Sequence, residues 1–320
     1  MASETPPDVA PRALLTEEGW VTARPPRLQE VLRRIVGFPK LVVEHYDLVW
    51  TSVRRELEAR FQGTILGWIW PLIHPVFLFV VYYFIFTKLL DFKIPDLPPG
   101  QESAMGVYMF VGIVVWSTIA ETLTRGTNSI VDNGNLIKKL SFPSEILPLN
   151  VVLVGLITLF FAVVVFLAGC FTPMWTLPGW HVAWLPLLLL LQGLMCYGLA
   201  MLLATLQVFL RDTLQVVTVL VTVWMFWTPL FWVPEMMGTS IRPFLGLIKA
   251  NPFYHLVQAW RGCLMGDLTP DIASYGGPVS VVSVAAIPGH VATFSIWAVA
   301  AFALGYGFFI LSQRRFADEV

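Results

Sequence analysis

The chain has 320 residues, of which 57% are hydrophobic and 13% are charged, and its formal net charge is −1. Because soluble domains carry roughly a quarter charged residues, this composition excludes an ordinary soluble protein and favours one that crosses a membrane several times. The near-zero charge argues against a nucleic-acid surface. Three widely separated cysteines, Cys170, Cys196 and Cys263, argue against a disulfide framework or a metal site.

Residues 1–40 are predicted to be a mobile cytoplasmic tail. The first twenty, MASETPPDVAPRALLTEEGW, are rich in Pro, Glu, Asp and Thr, a composition typical of disorder. They lack the apolar core of a signal peptide. We therefore expect this tail to stay on the side of the membrane where the chain is synthesised.

Residues 41–64 are predicted to form an amphipathic helix that lies along the inner leaflet. Its apolar positions recur at three- and four-residue spacing, with charged residues on the opposite face; they are Tyr46, Val49, Trp50, Val53, Leu57 and Phe61. Gly63 and Gly67 would let the chain turn upward into the first membrane span. A simple anchor and a moving gating element are both compatible with this pattern.

Six apolar segments are long enough to cross a bilayer, which takes about 20 helical residues. They are 65–90, 104–123, 151–171, 182–210, 214–233 and 291–311. Arg and Lys are concentrated before the first span, between the second and third, and in the tail 312–320. By the positive-inside rule both termini are cytoplasmic, so the sequence predicts an all-α polytopic membrane protein with six transmembrane helices.

The cytoplasmic connection 124–150 is too polar to enter the membrane but contains several apolar pairs. We expect a short helix around residues 128–137, followed by a break at Ser141–Pro143. A compact element of this kind could bind a cytosolic partner. The alternative is a loop whose Lys138 and Lys139 extend to the lipid headgroups.

The segment 234–290 is long for an external loop, and part of it is too apolar to lie free in water. Asn251 is a good N-cap and Pro252 suits the first helical position. We expect a helix over about 252–265 and another around 244–248, both re-entrant or at the outer interface. A seventh crossing is the competing interpretation, but it would place the C-terminus outside.

Aromatic residues are abundant in and near the spans. Trp224, Trp227 and Phe231 fall on one helical face, where sugar rings could stack, although aromatic belts at membrane interfaces are also common. No G-x-x-x-x-G-K-[ST] phosphate loop occurs. If the protein moves a substrate uphill, the energy must therefore come from another chain.

Four stretches carry a resemblance to a known family. They are RRELEARFQGTILGWIWPLIHP, FVGIVVWSTIAETLTRGTNSIVDNGNLIKKLSFPSEILPL, VFLRDTLQVV with the TPLFW that follows it, and NPFYHLVQAWR. Together they cover most of 54–261. The chain resembles the membrane permease of type-2 ATP-binding-cassette exporters, in the branch that exports O-antigen, capsular polysaccharide and teichoic acid.

The resemblance implies a non-enzymatic transport subunit in the bacterial inner (plasma) membrane. It implies a homodimer, each copy bound to a separate cytosolic ATPase, that moves a lipid-linked polysaccharide out of the cytoplasm. The chain itself would hold no cofactor, since ATP and Mg²⁺ would bind to the ATPase. Membrane lipids would be further partners, and nucleic acid would not.

Three groups of site residues follow from the resemblance. The ATPase-coupling group is Asn135, Leu136, Lys138, Lys139, Phe142, Pro143, Ser144 and Glu145. The substrate-path and lipid-phosphate group is Arg54, Arg55, Arg60, Trp68, Tyr82, Tyr83, Tyr108, Trp116, Trp224, Trp227 and Phe231. The outer-gate group is Asn251, Pro252, Phe253, Tyr254, Trp260 and Arg261. The guanidinium group of arginine can donate two hydrogen bonds to phosphate oxygens. Anchoring of the helix to the inner leaflet is an equally good reason for arginines at these positions.

Three other functions can be compared with the sequence. A type-2 permease for a drug or lipid would have the same fold. A membrane-embedded glycan polymerase or transferase would need carboxylates or histidines at one level of the membrane, whereas His74, Glu121 and His255 are scattered along the chain. A passive channel would need a polar pore lining that the spans lack.

Overall fold

The computed structural model describes residues 13–16, 19–22, 28–63, 67–90, 94, 97, 103–139, 143–171, 175, 177–237, 241, 243–272 and 277–319. Within these ranges the chain is mainly helical, as predicted. Two short antiparallel strand pairs were not predicted: β1 (Ala13–Thr16) with β2 (Gly19–Thr22), and β3 (Asp271–Ile272) with β4 (Gly277–Pro278).

The described part of the chain contains twelve α-helices. They are α1 (Leu28–Glu44), α2 (Tyr46–Phe61), α3 (Trp70–Tyr82), α4 (Ala104–Asn128), α5 (Gly134–Lys139), α6 (Ile146–Gly169), α7 (Leu185–Phe209), α8 (Thr213–Trp227), α9 (Leu245–Ala250), α10 (Pro252–Met265), α11 (Ile287–Ser312) and α12 (Phe316–Glu319). A π-helical segment, Tyr83–Leu89, continues α3, and 3₁₀ turns precede α3, α7 and α11.

Among the described residues, four helical segments are long and apolar enough to cross a membrane: Ala104–Asn128, Ile146–Gly169, Trp180–Phe209 and Val284–Ser312. Two shorter apolar helices, Ile73–Phe86 and Thr213–Trp227, occupy the predicted first and fifth spans. The chain is therefore a multi-pass membrane protein by length and composition. The count of six spans stays a prediction, because about 20 helical residues are needed to cross a bilayer core.

The two ends of the helical bundle are named by their predicted sides. At one end α4, α7 and α11 end while α6 and α8 begin; we call this the inner end because it is predicted to face the cytoplasm. The opposite end is the outer end. The long helices α4, α6, α7 and α11 therefore run between the inner end and the outer end.

The predicted tail boundary at residue 40 is corrected by the structure. Helix α1 begins at Leu28, and α2 follows it after a break at His45. Phe38 packs among the aromatic rings of α7 and α11, with its centroid 4.9 Å from that of Tyr197 and 5.4 Å from that of Phe302. The polar composition of the first twenty residues dominated the prediction and hid the apolar spacing that begins at Leu28.

The predicted inner-leaflet helix also contacts protein. Val49, Val53 and Leu57 of α2 are buried in the core, while Tyr46 and Trp50 are exposed. One apolar face therefore packs on the bundle, mainly on α6, and a second apolar stripe is left exposed. The amphipathic pattern alone cannot distinguish protein from lipid as the covering surface.

Helices α7 and α11 approach so closely that only glycine fits at their crossing. A Cβ added to Gly305 would lie 1.8 Å from the carbonyl oxygen of Gly198, and a Cβ added to Gly198 would lie 2.5 Å from the backbone of Ala301. Small residues at such crossings let helix backbones pack directly against each other in membrane proteins.

We expect Gly305→Ala to lower the free energy of unfolding by about 1–3 kcal/mol or more, since overpacked cores lose this much and here the clash is with backbone. Thermal unfolding of the purified protein in detergent measures the effect. Gly289→Ala in the same helix is the matched control, because nothing lies within 4 Å of its added Cβ. Equal melting temperatures for the two variants would contradict the close crossing.

Candidate functional site

A cavity of about 810 Å³ opens at the inner end between α2, the end of α4 and the start of α6. Its polar lining is Arg55, Glu56, Arg125, Asn128, Asp132 and Asn150, among others. The side-chain oxygens of Asn128 and Asn150 have no hydrogen-bond partner among the described residues. The cavity can therefore accept a polar ligand or water.

Four charged side chains hold α2 against α4 beside this cavity. Arg60 Nη2 lies 2.8 Å from Glu121 Oε1, and Arg125 Nη1 lies 3.4 Å from the same oxygen. Arg125 also pairs with Glu56. Burial lowers the pKa of Arg60, and the nearby carboxylates of Glu121 and Glu56 oppose that shift. The two positive and two negative charges balance within one cluster.

The three arginines predicted to contact a lipid phosphate lie in different environments. Arg60 is bound to Glu121, and its side chain is only 16% exposed. Arg54 pairs with Glu58 at 2.8 Å on the surface. Arg55 lines the cavity and has no hydrogen bond or ion pair with a described residue. Of the three, Arg55 is therefore the one with a guanidinium available to a ligand.

The predicted coupling residues divide between the surface and the core. Asn135 and Leu136 are exposed on the short helix α5, whereas Ser144 and Glu145 are buried. Gln313 Nε2 donates to Ser144 Oγ at 2.9 Å and to Glu145 Oε2 at 3.2 Å. Glu145 is therefore largely buried and is held by hydrogen bonds within the bundle.

Five other members of the predicted groups, four of them coupling residues, lie next to or within parts of the chain that the structure does not describe. Pro143 is half-buried beside Ser144. Lys138 and Lys139 belong to α5, but their side chains lie outside the described part of the chain, as does the side chain of Trp68. Phe142 lies outside the described residues altogether. Their predicted roles stay predictions.

The predicted aromatic path is divided into buried and open parts. Tyr108 and Trp116 are buried within the bundle. Tyr82 and Tyr83 are half-buried, and the ring centroid of Tyr82 lies 6.4 Å from that of Phe231. The open part is a groove of about 450 Å³ whose walls include Trp224 and Trp227.

Helices α9 and α10 form a hairpin whose turn is fixed by Asn251. The Asn251 Oδ1 atom accepts from the backbone nitrogen of Phe253 and from Trp224 Nε1, each at 3.0 Å. Its Nδ2 atom donates to Thr228 Oγ1 at 2.9 Å. The predicted N-cap and the predicted start of α10 at Pro252 are confirmed. With 14 residues, α10 is too short for a seventh crossing.

The outer-gate group is packed into the bundle through Arg261. This residue is fully buried; its Nε donates to the carbonyl oxygen of Tyr108 and its Nη2 to that of Leu230, each at 3.2 Å. Its Cζ lies 3.3 Å from the centroid of the Tyr108 ring, a cation–π contact. The neighbouring Trp260 donates from Nε1 to Gln192 Oε1 on α7 at 3.1 Å.

The remaining gate aromatics complete this packing. Phe253 is in edge-to-face contact with Trp116 and Trp224, at centroid distances of 5.5 and 4.8 Å. Tyr254 is buried, and its ring contacts that of His290. The residues predicted to form the outer gate are thus buried and packed against one another and against the bundle.

Sequence reasoning missed a histidine pair at the outer end. His255 Nδ1 lies 2.9 Å from His290 Nδ1, and His255 Nε2 lies 2.7 Å from the carbonyl oxygen of Lys249. Because a carbonyl only accepts, Nε2 of His255 donates and its Nδ1 accepts from His290. Burial lowers the pKa of His255, so this neutral arrangement is favoured. The two residues are 35 positions apart, and no sequence spacing indicates their contact.

A family model described as ABC-2 type transporter matches residues 47–265. An O-antigen export system permease protein, RfbA, of Myxococcus xanthus is 30% identical over 237 residues, which cover 72% of this chain and 86% of that protein.

Two proteins of the same name from Klebsiella pneumoniae are also similar. One is 27% identical over 221 residues, covering 69% of this chain and 81% of its own length. The other is 23% identical over 224 residues, covering 70% and 82%. The family match begins in α2 and ends with α10, so it leaves out α1 and α11.

We expect Glu121→Gln to lower the free energy of unfolding by about 1–2 kcal/mol, because two clustered arginines lose their shared carboxylate. Chemical or thermal unfolding in detergent measures the loss. Glu58→Gln is the control: it breaks an exposed pair of the same length, and such pairs contribute less than about 0.5 kcal/mol. Similar losses in both variants would show that the cluster adds no stability.

We expect the free energy of unfolding to fall as pH rises, because the buried carboxyl group of Glu235 loses its proton. Burial raises its pKa above the ordinary 4.5, against the opposing effect of Arg261 and Lys249. The folded state therefore keeps this proton at pH values where the unfolded state has lost it, and the unfolding free energy drops as pH rises from 4.5 through the raised pKa.

Glu235→Gln replaces the titrating carboxyl group by a neutral amide. The plot of unfolding free energy against pH should therefore be flatter in this range, so the variant gains stability relative to the wild type as pH rises. Melting temperatures of both proteins over about pH 4–8 measure the difference. Parallel curves would mean that Glu235 titrates normally in the folded protein.

Proposed function

The chain belongs to the ABC-2 type transporter family, and from this premise we propose that it is the membrane permease of an ATP-driven exporter of lipid-linked polysaccharide. The observation that carries the proposal is the similarity to three O-antigen export permeases, each matched over more than four-fifths of its length. In this proposal a glycan of the O-antigen, capsule or teichoic acid type crosses the bacterial inner membrane, and both termini of the chain are cytoplasmic.

The energy for export comes, in this proposal, from a separate cytosolic ATPase that binds the inner end. Helix α5 supports this assignment, because it carries exposed Asn135 and Leu136 beside exposed Val131 and Asp132. A mixed apolar and polar surface of this kind suits a non-obligate protein partner. ATP and Mg²⁺ bind to that partner, and this chain transmits the movement.

A second copy of the chain completes the conduit. Helix α8 supports this step, because it buries only Val217 and Val221 of its own residues and leaves most of its apolar side chains exposed. The exposed set is Val216, Val219, Leu220, Val223, Phe226 and Trp227. The groove that Trp224 and Trp227 line then lies at the junction of the two copies, where sugar rings can stack on the indoles.

The inner cavity is the entry site for the lipid phosphate in this proposal. Arg55 supports this assignment, because it lines the cavity and forms no ion pair with a described residue, while Arg60 and Arg125 are paired with carboxylates. Arginine forks bind phosphate oxygens in pairs of hydrogen bonds. The paired arginines therefore keep α2 in place and leave Arg55 for the substrate.

The function is tested by export in cells. A strain that makes a lipid-linked O-polysaccharide, but lacks its own exporter, receives this chain with its cognate ATPase, and surface polysaccharide is measured with antibody. We expect surface polymer to be restored, and Trp227→Ala to reduce it. If the reconstituted complex instead moves only drugs or simple lipids, the polysaccharide assignment is overturned.

The coupling surface is tested with Leu136→Glu. We expect about a tenfold or greater loss of ATPase co-purification, equivalent to about 1.4 kcal/mol, because a carboxylate is then buried against the partner. Export should fall in parallel while membrane insertion is unchanged. Leu177→Glu is the matched control, since this exposed leucine lies at the outer end. Loss of ATPase binding in the control alone would contradict the predicted orientation.

A further inference from the structure

A cleft of about 520 Å³ opens at the inner end between α1, the turn that precedes α6 and the end of α11. Its lining includes Arg33, Arg34 and Gly37 on α1, with Glu145 and Gln313 opposite them. The residues of α1 and α11 lie outside the region that the family match covers. The role of this cleft is therefore a separate question from polysaccharide export.

The cleft has an excess of positive charge. Arg33 is exposed and has no hydrogen bond or ion pair with a described residue. The Arg34 side chain is 56% exposed, and its Nη1 lies 3.2 Å from Gln313 Oε1 and 4.0 Å from Glu145 Oε1. Two guanidinium groups and one carboxylate leave a net charge of +1 among these side chains. A ligand with one negative charge would neutralise the cleft.

Gly37 lines the cleft and has no side chain to fill it. It lies within α1 one turn after Arg33, and a Cβ added to it would meet nothing within 4 Å. Glycine inside a helix costs about 0.5–1 kcal/mol relative to alanine. Internal packing does not require glycine at this position, so the missing side chain leaves room for something outside the chain.

The exposed face of α1 is apolar beside this cleft. Leu32, Val36 and Val43 are 52%, 80% and 74% exposed, and their spacing puts them on one helical face. The exposed Tyr46 and Trp50 continue the stripe on α2. Phe38 on the opposite face holds α1 against α7 and α11. A helix held this way, with an apolar stripe next to arginines, suits the boundary between lipid headgroups and acyl chains.

We propose that this cleft binds the phosphate of an anionic phospholipid in the inner leaflet. Arg33 and Arg34 contact the phosphodiester, the headgroup fills the space over Gly37, and the acyl chains lie along Leu32 and Val36. A phosphodiester carries a single negative charge, which balances the cleft. Juxtamembrane basic residues attract such lipids by about 1 kcal/mol each.

The test is lipid retention by the purified full-length chain, measured by native mass spectrometry after incubation with phosphatidylglycerol or phosphatidylcholine of the same acyl composition. We expect a preference for phosphatidylglycerol of about tenfold or more, equivalent to about 1.4 kcal/mol. Arg33→Gln and Gly37→Leu should each abolish this preference. Gly37→Leu fills the space without a clash and improves helix propensity, so its melting temperature should not fall.

Lys40→Gln is the matched control, because Lys40 is a basic residue of the same helix whose side chain is 80% exposed and paired with Glu44 at 3.6 Å. It should keep the lipid preference. Equal retention of the two lipids by the wild type, full preference in Gly37→Leu, or an equal loss in Lys40→Gln would each overturn the proposal. Complete displacement by millimolar inorganic phosphate would assign the cleft to a free anion instead. The assay uses the permease alone, so its outcome is independent of the test of export.

Discussion

The packing of the α9–α10 hairpin depends on one constraint: polar groups buried away from water must find hydrogen bonds within the protein, because apolar surroundings offer none. Asn251 meets this requirement at the turn by binding Trp224, Thr228 and the first amide of α10. Arg261 meets it further along, where it donates to two carbonyl groups and lies on the Tyr108 ring. The burial of α4 follows, since α4 supplies part of the wall against which this hairpin packs.

Helix α4 connects the two candidate regions. Near its inner end, Glu121 and Arg125 hold α2 beside the inner cavity. In its outer half, Tyr108 and Trp116 contact α10. A displacement of α4 along its axis would disturb both sets of contacts at once. In the proposed exporter this gives a direct mechanical link between the side where the glycan enters and the hairpin that closes the exit.

The sequence predicted the parts of the fold that depend on local chemistry. Uninterrupted apolar runs indicated α4, α6, α7 and α11, and the Asn251–Pro252 capping pair located the start of α10. Helix α1 was missed because a polar leading segment dominated the composition of its window. Contacts such as Arg60 with Glu121 and His255 with His290 depend on how distant helices pack. Aromatic spacing likewise could not show that Tyr108 and Trp116 are buried while Trp227 is open.

The direct backbone contact between Gly198 and Gly305 has a consequence for movement. Two helices that touch without intervening side chains cannot slide or roll past each other without a steric collision, so α7 and α11 form a rigid scaffold. In the proposed exporter, changes of conformation then fall on elements with looser packing, such as α8, most of whose residues are not buried. The contact between Gly198 and Gly305 therefore assigns α7 and α11 to the part of that exporter that stays fixed.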